Sequence, residues 1–262
     1  MPKLSIITIN LNNVNGLGKT IESVAGQSFS DFEYIVIDGG SDDGSLSILK
    51  KFSHKITYWV SEPDKGIYQA MNKGLKHSTG EIITFLNSGD EYYSRFSLEM
   101  VLNFLKFKWP LADLFFFDFI YQSGKNKTVV SSIDVINKFV IYNKGFGHPS
   151  TFYKKKLFEL FGGFDENYKI SADRDFYMKV IVKHKIAFAY FPFTVSVFIE
   201  GGLSTNSNYK GILQVEDRRV INTYYNSFER RIIRMSLLKK IISKRYIGDL
   251  IVWLLNWKLR QI

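Results

Sequence analysis

The feature that most constrains the fold is a regular alternation between short apolar runs and segments with helical spacing. The runs "LSIITI" and "EYIVID" are typical of buried strands, and Leu17, Ile21 and Val24 lie between them at helical spacing. Strands joined by single helices imply right-handed crossovers. The sequence therefore predicts an α/β fold, with a mostly parallel central sheet and helices on both faces.

The alternation continues beyond the second strand. Ser41 is predicted to cap a helix that carries Leu46, Leu49 and Phe52. A strand "ITYWV", a helix marked by "IYQAMNKGL" and a strand "EIITFL" follow, and "DLFFFDF" and "KIAFAYF" predict later strands whose order stays open.

Composition limits the possible classes of protein. A chain of 262 residues that is 45% apolar can form one compact domain or two closely fused ones. The absence of cysteine excludes disulfides, thiolate metal sites and a cysteine nucleophile, and it fits a reducing cytosolic compartment. Because the first predicted strand begins at Leu4, we expect no signal peptide.

Polar side chains follow each of the first four strands. They are Asn10 and Asn12, then Asp38, then Asp64, and finally Asn87 and Asp90. Turn formation alone explains any one of these residues. The carboxyl ends of parallel strands share one edge, however, where open sheets bind ligands.

The familiar phosphate-binding loops are missing from the chain. No GxGxxG motif follows the first strand, and no GxxxxGK[ST] motif occurs. An acidic edge would repel a phosphate unless a divalent cation lay between them. This combination favours a nucleotide diphosphate ligand together with Mg or Mn.

Five segments in order resemble the motifs of family 2 glycosyltransferases, which have the GT-A fold. They are "LSIITINLN", "EYIVIDGGSDDGS", "SEPDKGIYQAMNKG", "EIITFLNSGD" and "GGFDENYKISADRDFYMK", and together they cover roughly residues 3–205. The similarity is greatest to the branch that builds bacterial capsule, O-antigen and exopolysaccharide sugars. It implies a hexosyltransferase with a nucleotide-sugar-binding half at 1–110 and an acceptor and catalytic-base half at 111–205.

The resemblance assigns roles to the residues of the shared edge. It implies that Asn10 and Asp38 lie near the nucleotide and that Asp90 is the carboxylate that meets the metal. Asn12, Asp64 and Asn87 are predicted to bind the nucleotide sugar because they lie at the same edge. Further predicted contacts are Lys65, Asn72 and Ser204 to the donor, and His148 to the diphosphate or the acceptor. The alternatives are a surface or capping role for Lys65 and Asn72, a structural role for His148, and an ordinary turn at Ser204. The chain departs from the family pattern at Gly39, where many members have a second acid, and at Asn87 and Gly89, which replace an acid-x-acid pair.

The segment "ISADRDFYMKVIVKH" contains the candidate catalytic base. Ser171 is a good N-cap for a helix with Phe176 and Tyr177 on its apolar stripe. Asp173 lies on that stripe, and Asp175 points about 200° away around the helix. The resemblance implies that Asp173 is the base of an inverting transfer, although Ala172 stands where the family has a first acid. The alternative is that Asp173 only stabilises the start of the helix.

The net charge of +10 is concentrated in a basic tail, predicted to be helical and amphipathic over 206–262. From Arg230 the chain carries nine Lys and Arg against one acid, with Trp253 and Trp257 near its end. This pattern fits a helix at the inner face of the cell membrane as well as a helix packed on the core. The resemblance implies a lipid-linked saccharide acceptor and a peripheral enzyme in the cytoplasm.

Two other functions fit part of the sequence. A sugar-1-phosphate nucleotidyltransferase also combines an open sheet with a nucleotide and magnesium, but its glycine-rich basic loop is missing from "NLNNVNG". A basic membrane- or nucleic-acid-binding module would explain the tail charge alone. No nucleic-acid-binding motif is present, so we expect no nucleic-acid partner. The sequence leaves the oligomeric state open.

Overall fold

The computed structural model describes residues 4–131, 147–203 and 205–231. In this part of the chain, nine strands form one sheet in the order β3-β2-β1-β4-β8-β6-β9-β5, with β7 paired to β6. The chain divides into two compact units, Met1–Asp217 and Arg218–Ile262. The boundaries predicted at 110 and 205 stay predictions.

The first half of the chain forms the alternating series that the sequence predicts. Its elements are β1 Leu4–Asn10, α1 Val14–Ala25, β2 Phe32–Asp38, α2 Ser45–Lys51, β3 Tyr58–Ser61, α3 Ile67–His77 and β4 Ile82–Phe85. Neighbouring strands among β3, β2, β1 and β4 are parallel. Their burial follows from continuous apolar runs with helices packed against the sheet.

The later half adds both antiparallel and parallel strands. Its elements are β5 Glu91–Tyr92, α4 Ser97–Lys108, β6 Leu114–Ser123, β7 Asn126–Val130, β8 Thr151–Lys154, α5 Lys156–Phe161, α6 Ala172–Tyr177, β9 Phe188–Ile199 and α7 Lys210–Tyr224. Strand β8 is antiparallel to β4 and β6, whereas β6 and β9 are parallel. The predicted strands in "DLFFFDF" and "KIAFAYF" are confirmed as β6 and the start of β9.

The strand register brings the predicted polar residues to one edge. Asn10 pairs with Asp38 at the ends of β1 and β2, and Asp38 pairs with Ser61 at the end of β3. Beyond β4, the N–H of Ser88 donates to the carbonyl of Ile9 at 3.1 Å. The turn after β4 therefore lies beside the end of β1.

Two predicted helix caps differ from the structure. Helix α2 begins at Ser45 with Gly44 as its N-cap, so the prediction that Ser41 caps this helix is wrong. The Ser41 hydroxyl binds the Asp38 carboxylate instead. Ser171 does precede α6, but its side chain makes no capping hydrogen bond. The apolar stripe of this helix is buried as predicted, and the chain continues from α6 as a π-helix over Met178–Lys183.

Candidate functional site

The Asp38 carboxylate is the centre of a hydrogen-bond network at the edge of the sheet. Asn10 Nδ2 donates to its Oδ1 at 2.7 Å, and the Ser61 hydroxyl donates to its Oδ2 at 2.6 Å. The N–H and hydroxyl of Ser41 donate to the same carboxylate. Burial alone would raise the pKa of Asp38, but these donors hold it below its usual value. Asp38 is thus a buried anion that fixes the ends of three strands.

Gly39, one of the two departures from the family pattern, lies beside the carboxylate of Asp64. A Cβ at this position would lie 2.6 Å from Asp64 Oδ2, so the Asp64 carboxylate occupies the space that a side chain would need. The other oxygen of Asp64 accepts the N–H of Gly66 at 2.9 Å, in the turn that precedes α3. Asp64 therefore places a carboxylate beside Gly39, where many family members have a second acid.

Two side chains from α1 and its cap hold the turn after β4. Thr20 Oγ1 accepts the N–H of Gly89 at 2.9 Å and donates to the carbonyl of Asp90 at 2.8 Å. Asn13 Nδ2 donates to the carbonyl of Ser88 at 3.0 Å. Gly89 has a φ of +103°, a conformation that side chains rarely adopt. The turn geometry therefore accounts for the missing acid at position 89.

Asp90 is a buried carboxyl in this turn. It is 5% exposed, and its Oδ1 accepts the N–H of Ile199 at 3.2 Å. Burial raises the pKa of Asp90 to about 8, the Ile199 N–H opposes this shift, and the charge of Glu91 adds to it. Asn87 lies three positions earlier in the chain. Its Oδ1 is buried and has no hydrogen-bond partner among the described residues.

These donors fit a divalent cation that is held mainly by its substrate. The described residues contain no group of three or more acids or histidines that could hold a metal by themselves. Magnesium commonly uses one or two carboxylates together with phosphate oxygens and water. The carboxyl of Asp90 and the unpartnered amide oxygen of Asn87 are oxygen ligands of the kind that magnesium uses, and a cation bound to Asp90 would have to displace its proton.

Two predicted ligands of the nucleotide sugar, Asn72 and Asn12, have side chains that are hydrogen-bonded within the protein, and a third, Lys65, forms a bond through its backbone. Asn72 donates to the Phe164 carbonyl and to Glu166, each at 2.9 Å, and its Oδ1 accepts the Phe164 N–H. Asn12 Oδ1 accepts the N–H of Asp42 at 3.0 Å. Lys65 donates its backbone N–H to Gln69 at 2.8 Å. Asn72 therefore connects α3 to the loop that leads to the candidate base, and ligand binding by these residues stays a prediction.

Asp173 lies against a tyrosine that the sequence reading missed. The Tyr68 hydroxyl on α3 is 3.2 Å from Asp173 Oδ1 and also donates to the carbonyl of Ile170. Burial and the charge of Asp173 raise the pKa of Tyr68 well above its usual value, so Tyr68 stays a proton donor. Asp175 instead accepts the Tyr168 hydroxyl at 3.1 Å. The two acids therefore have different partners, as their helical spacing predicts.

His148 is a half-buried histidine, and the charge of Asp173 acts on its ring. Its ring lies 5.1 Å from that of Phe85 and 6.0 Å from that of Phe164. Burial lowers its pKa, and the charge of Asp173 opposes this shift. Neither ring nitrogen has a hydrogen-bond partner among the described residues. A neutral imidazole offers one donor and one acceptor, and contact of His148 with the diphosphate or the acceptor stays a prediction.

Helix α7 contributes two acids to the segment around the base. Glu216 accepts the backbone N–H groups of Lys169, Ile170 and Ser171. Asp217 forms an ion pair with Arg174, the residue after Asp173. The sequence reading placed both acids in the tail and gave them no role. The last predicted donor ligand, Ser204, lies outside the described residues.

Comparison with known proteins shows which families and proteins this chain is similar to. The model of the family described as Glycosyl transferase family 2 matches residues 5–172, which end next to Asp173. A protein named as an uncharacterized glycosyltransferase of Mycobacterium tuberculosis (strain CDC 1551 / Oshkosh) is 32% identical over 179 residues, 68% of each chain. A PGL/p-HBAD biosynthesis glycosyltransferase of Mycobacterium bovis (strain BCG / Pasteur 1173P2) is 28% identical over 254 residues, 93% of this chain and 98% of the relative.

Solved structures share the fold at lower sequence identity. Residues 1–349 of TarS from S. aureus, in complex with UDP, superpose with a TM-score of 0.67 at 21% identity. The match covers 85% of this chain and 65% of the TarS fragment. The mannosyltransferase PcManGT from Pyrobaculum calidifontis, in complex with GDP-Man and Mn²⁺, gives a TM-score of 0.60 at 16% identity and covers 100% of this chain and 81% of that one.

Proposed function

We propose that this chain, which belongs to glycosyl transferase family 2, transfers a sugar from a nucleotide diphosphate sugar to a hydroxyl group and inverts the anomeric configuration. One observation carries the proposal. The Asp173 carboxylate lies 3.2 Å from the hydroxyl of Tyr68. Tyr68 is on α3, the helix that follows the turn containing Asp64 at the carboxyl ends of the strands. A proton acceptor and the candidate donor site are therefore joined by one rigid helix, α3.

Asp173 is the proton acceptor of the proposed reaction. The acceptor hydroxyl transfers its proton to the carboxylate while its oxygen attacks the anomeric carbon of the donor. The bond from that carbon to the diphosphate oxygen breaks, and the electron pair leaves with the nucleotide diphosphate. Oδ1 accepts the backbone N–H of Arg174 at 2.8 Å and lies 3.2 Å from the Tyr68 hydroxyl, and we assign Oδ2 to the acceptor. This single displacement needs one base and no covalent intermediate.

Asp90 is the proposed metal ligand, with Asn87 Oδ1 as a second oxygen. A divalent cation, when bound, would offset the charge that develops on the leaving diphosphate. PcManGT is described with GDP-Man and Mn²⁺, and TarS with UDP and UDP-GlcNAc. The proposal for this chain is Mg or Mn held jointly by Asp90 and the donor phosphates.

The test of this function is a panel of UDP- and GDP-sugars followed by proton NMR. We expect slow hydrolysis of one donor, with Mn²⁺ and without EDTA, to give nucleoside diphosphate and a sugar whose first-formed anomer is opposite to that of the donor. Retention of configuration would contradict the inverting mechanism. Release of pyrophosphate would instead indicate a nucleotidyltransferase.

The proposed acceptor is a saccharide on a lipid at the inner face of the cell membrane, as part of surface polysaccharide synthesis. The predicted tail after Arg231 lies outside the described residues, and no helix within the described ranges is long and apolar enough to cross a bilayer. Its sequence combines basic and apolar residues, which suits an anionic interface. We therefore place the enzyme at the membrane surface.

The membrane proposal predicts sedimentation with vesicles. The full chain should pellet with anionic phosphatidylglycerol vesicles at low salt, because lysine and arginine near the surface each add about 1 kcal/mol of attraction. A chain that ends at Arg231 should remain in the supernatant. Equal pelleting of both chains would rule out the tail as the anchor, and neutral phosphatidylcholine vesicles serve as the control.

A further inference from the structure

Glu216 forms a dense set of hydrogen bonds that the proposed reaction does not yet use. It is 8% exposed, and its two oxygens accept three successive backbone N–H groups, those of Lys169, Ile170 and Ser171. The bonds to Ile170 and Ser171 are both 3.0 Å long. Hydrogen bonds to an ionised acceptor are stronger than neutral ones, so this contact fixes the backbone of residues 169–171.

This backbone segment leads directly to the candidate base. The carbonyl of Ile170 accepts the Tyr68 hydroxyl, which lies 3.2 Å from Asp173 Oδ1. Helix α6 then begins at Ala172. The N–H of Asp175 donates to the carbonyl of Ser171, four residues earlier, at 3.0 Å. A shift of residues 169–171 would therefore move both Asp173 and the partner that orients it.

A local helix cap does not replace Glu216 at this position. The Ser171 hydroxyl is buried, makes no capping bond and has no hydrogen-bond partner among the described residues. The adjacent acid, Asp217, binds Arg174 on the other side of Asp173. Two successive residues of α7 thus hold the chain before and after the base.

We propose that Glu216 is a positioning residue for catalysis, which sets the orientation of Asp173 through the backbone of residues 169–171. This inference rests on the proposed function of Asp173 as the base. Within the described part of the chain, Glu216 bonds to the backbone of residues 169–171 and not to Asp173 itself. Its effect is transmitted through Ile170 and Tyr68.

The proposal predicts a selective loss of turnover in Glu216→Gln. The substitution keeps the shape of the side chain but removes its charge, and the new amide N–H would face backbone N–H groups. We expect kcat to fall about 10- to 100-fold, the scale on which small misplacements of a catalytic group act. The dissociation constant of the nucleotide diphosphate should change less than about twofold, since residues 169–171 are not among the proposed donor ligands. Glu216→Asp, which keeps the charge, should recover part of kcat.

Hydrogen exchange provides a readout that does not depend on activity. Backbone amides of residues 169–171 should exchange faster in Glu216→Gln than in the unmodified protein, because their acceptor is weakened. The matched control is Glu159→Gln, whose side chain is 61% exposed. This control should change neither exchange at 169–171 nor kcat.

The two proposals fail in different ways. If the unmodified protein turns over no nucleotide sugar, the proposed function is wrong. If it is active, and Glu216→Gln keeps full kcat or unchanged exchange at 169–171, the positioning role is wrong. A variant that loses donor binding and kcat to the same degree would also overturn the positioning role, since that result indicates general damage to the fold.

Discussion

Asp173→Asn is expected to lose sugar transfer by roughly 10²–10⁴-fold, the usual contribution of a general base. An amide keeps the size of the side chain, and its oxygen can still accept the Tyr68 hydroxyl and the Arg174 N–H. It cannot take a proton from the acceptor. The dissociation constant of the nucleotide diphosphate, measured by calorimetry, should therefore stay within about threefold of that of the unmodified protein.

The matched control for this variant is Asp175→Asn. Asp175 lies on the same helix but accepts the Tyr168 hydroxyl, so it does not share the surroundings of Asp173. The variant Asp175→Asn should keep most of the kcat of the unmodified protein. Full turnover in Asp173→Asn, or an equal loss in both variants, would remove Asp173 from the role of base.

Asp90→Asn is expected to abolish the metal-dependent part of the activity and to stabilise the metal-free fold. Asp90 is the only carboxylate that we assign to the metal, so the cation loses its charged protein ligand. The asparagine oxygen can still accept the Ile199 N–H, which keeps the turn intact. Function and stability should therefore change in opposite directions in this variant.

The pKa of Asp90 fixes the sign of the stability effect. Burial raises it to about 8, so the folded protein holds this proton more tightly than the unfolded chain does. For such a group the free energy of unfolding falls as the pH rises from about 4 to about 8. The variant lacks the titrating group. The gain in free energy of unfolding of Asp90→Asn over the unmodified protein should therefore be smallest near pH 4 and largest near pH 8. Each kcal/mol of this gain should raise Tm by roughly 2–4 °C.

Two measurements check the Asp90 prediction. Thermal unfolding in EDTA at pH 4, 6 and 8 should show a Tm advantage of Asp90→Asn that is small at pH 4 and grows to its largest value at pH 8. Glu91→Gln serves as a control that keeps the buried carboxyl. Calorimetry should detect appreciable Mn²⁺ binding only in the presence of the nucleotide sugar, and not in the variant. Tight binding of Mn²⁺ to the protein alone would falsify the one-carboxylate site.

The sheet edge could be predicted because its signals are local in sequence. Apolar runs mark the strands, and the residue after each run must lie at the carboxyl end of a parallel strand. The positions of Asn10, Asp38 and Asp90 follow from that rule. The two departures from the family pattern are visible in the sequence, but their surroundings are visible only in the coordinates. Gly39 faces the carboxylate of Asp64, and Gly89 has a positive φ.

The contacts around the base could not be predicted from one sequence. Tyr68 and Asp173 are 105 positions apart, and Glu216 and Ser171 are 45 positions apart, and neither pair has a spacing that links its members. Local rules also gave wrong partners. Ser41 and Ser171 both have the composition of helix caps, but the Asp38 carboxylate binds the first, and Glu216 accepts the N–H of the second. Tertiary contacts outweigh capping preference at both positions.

The most direct test of the account compares nucleotide release by the unmodified protein and by Asp173→Asn. Both proteins are incubated with the nucleotide sugar that the donor panel identifies, with Mn²⁺ present, and the phosphorus NMR signals of the products are recorded. We expect nucleoside diphosphate from the unmodified protein and almost none from the variant, although both bind the donor. Equal release by the two proteins, or pyrophosphate in place of nucleoside diphosphate, would contradict it.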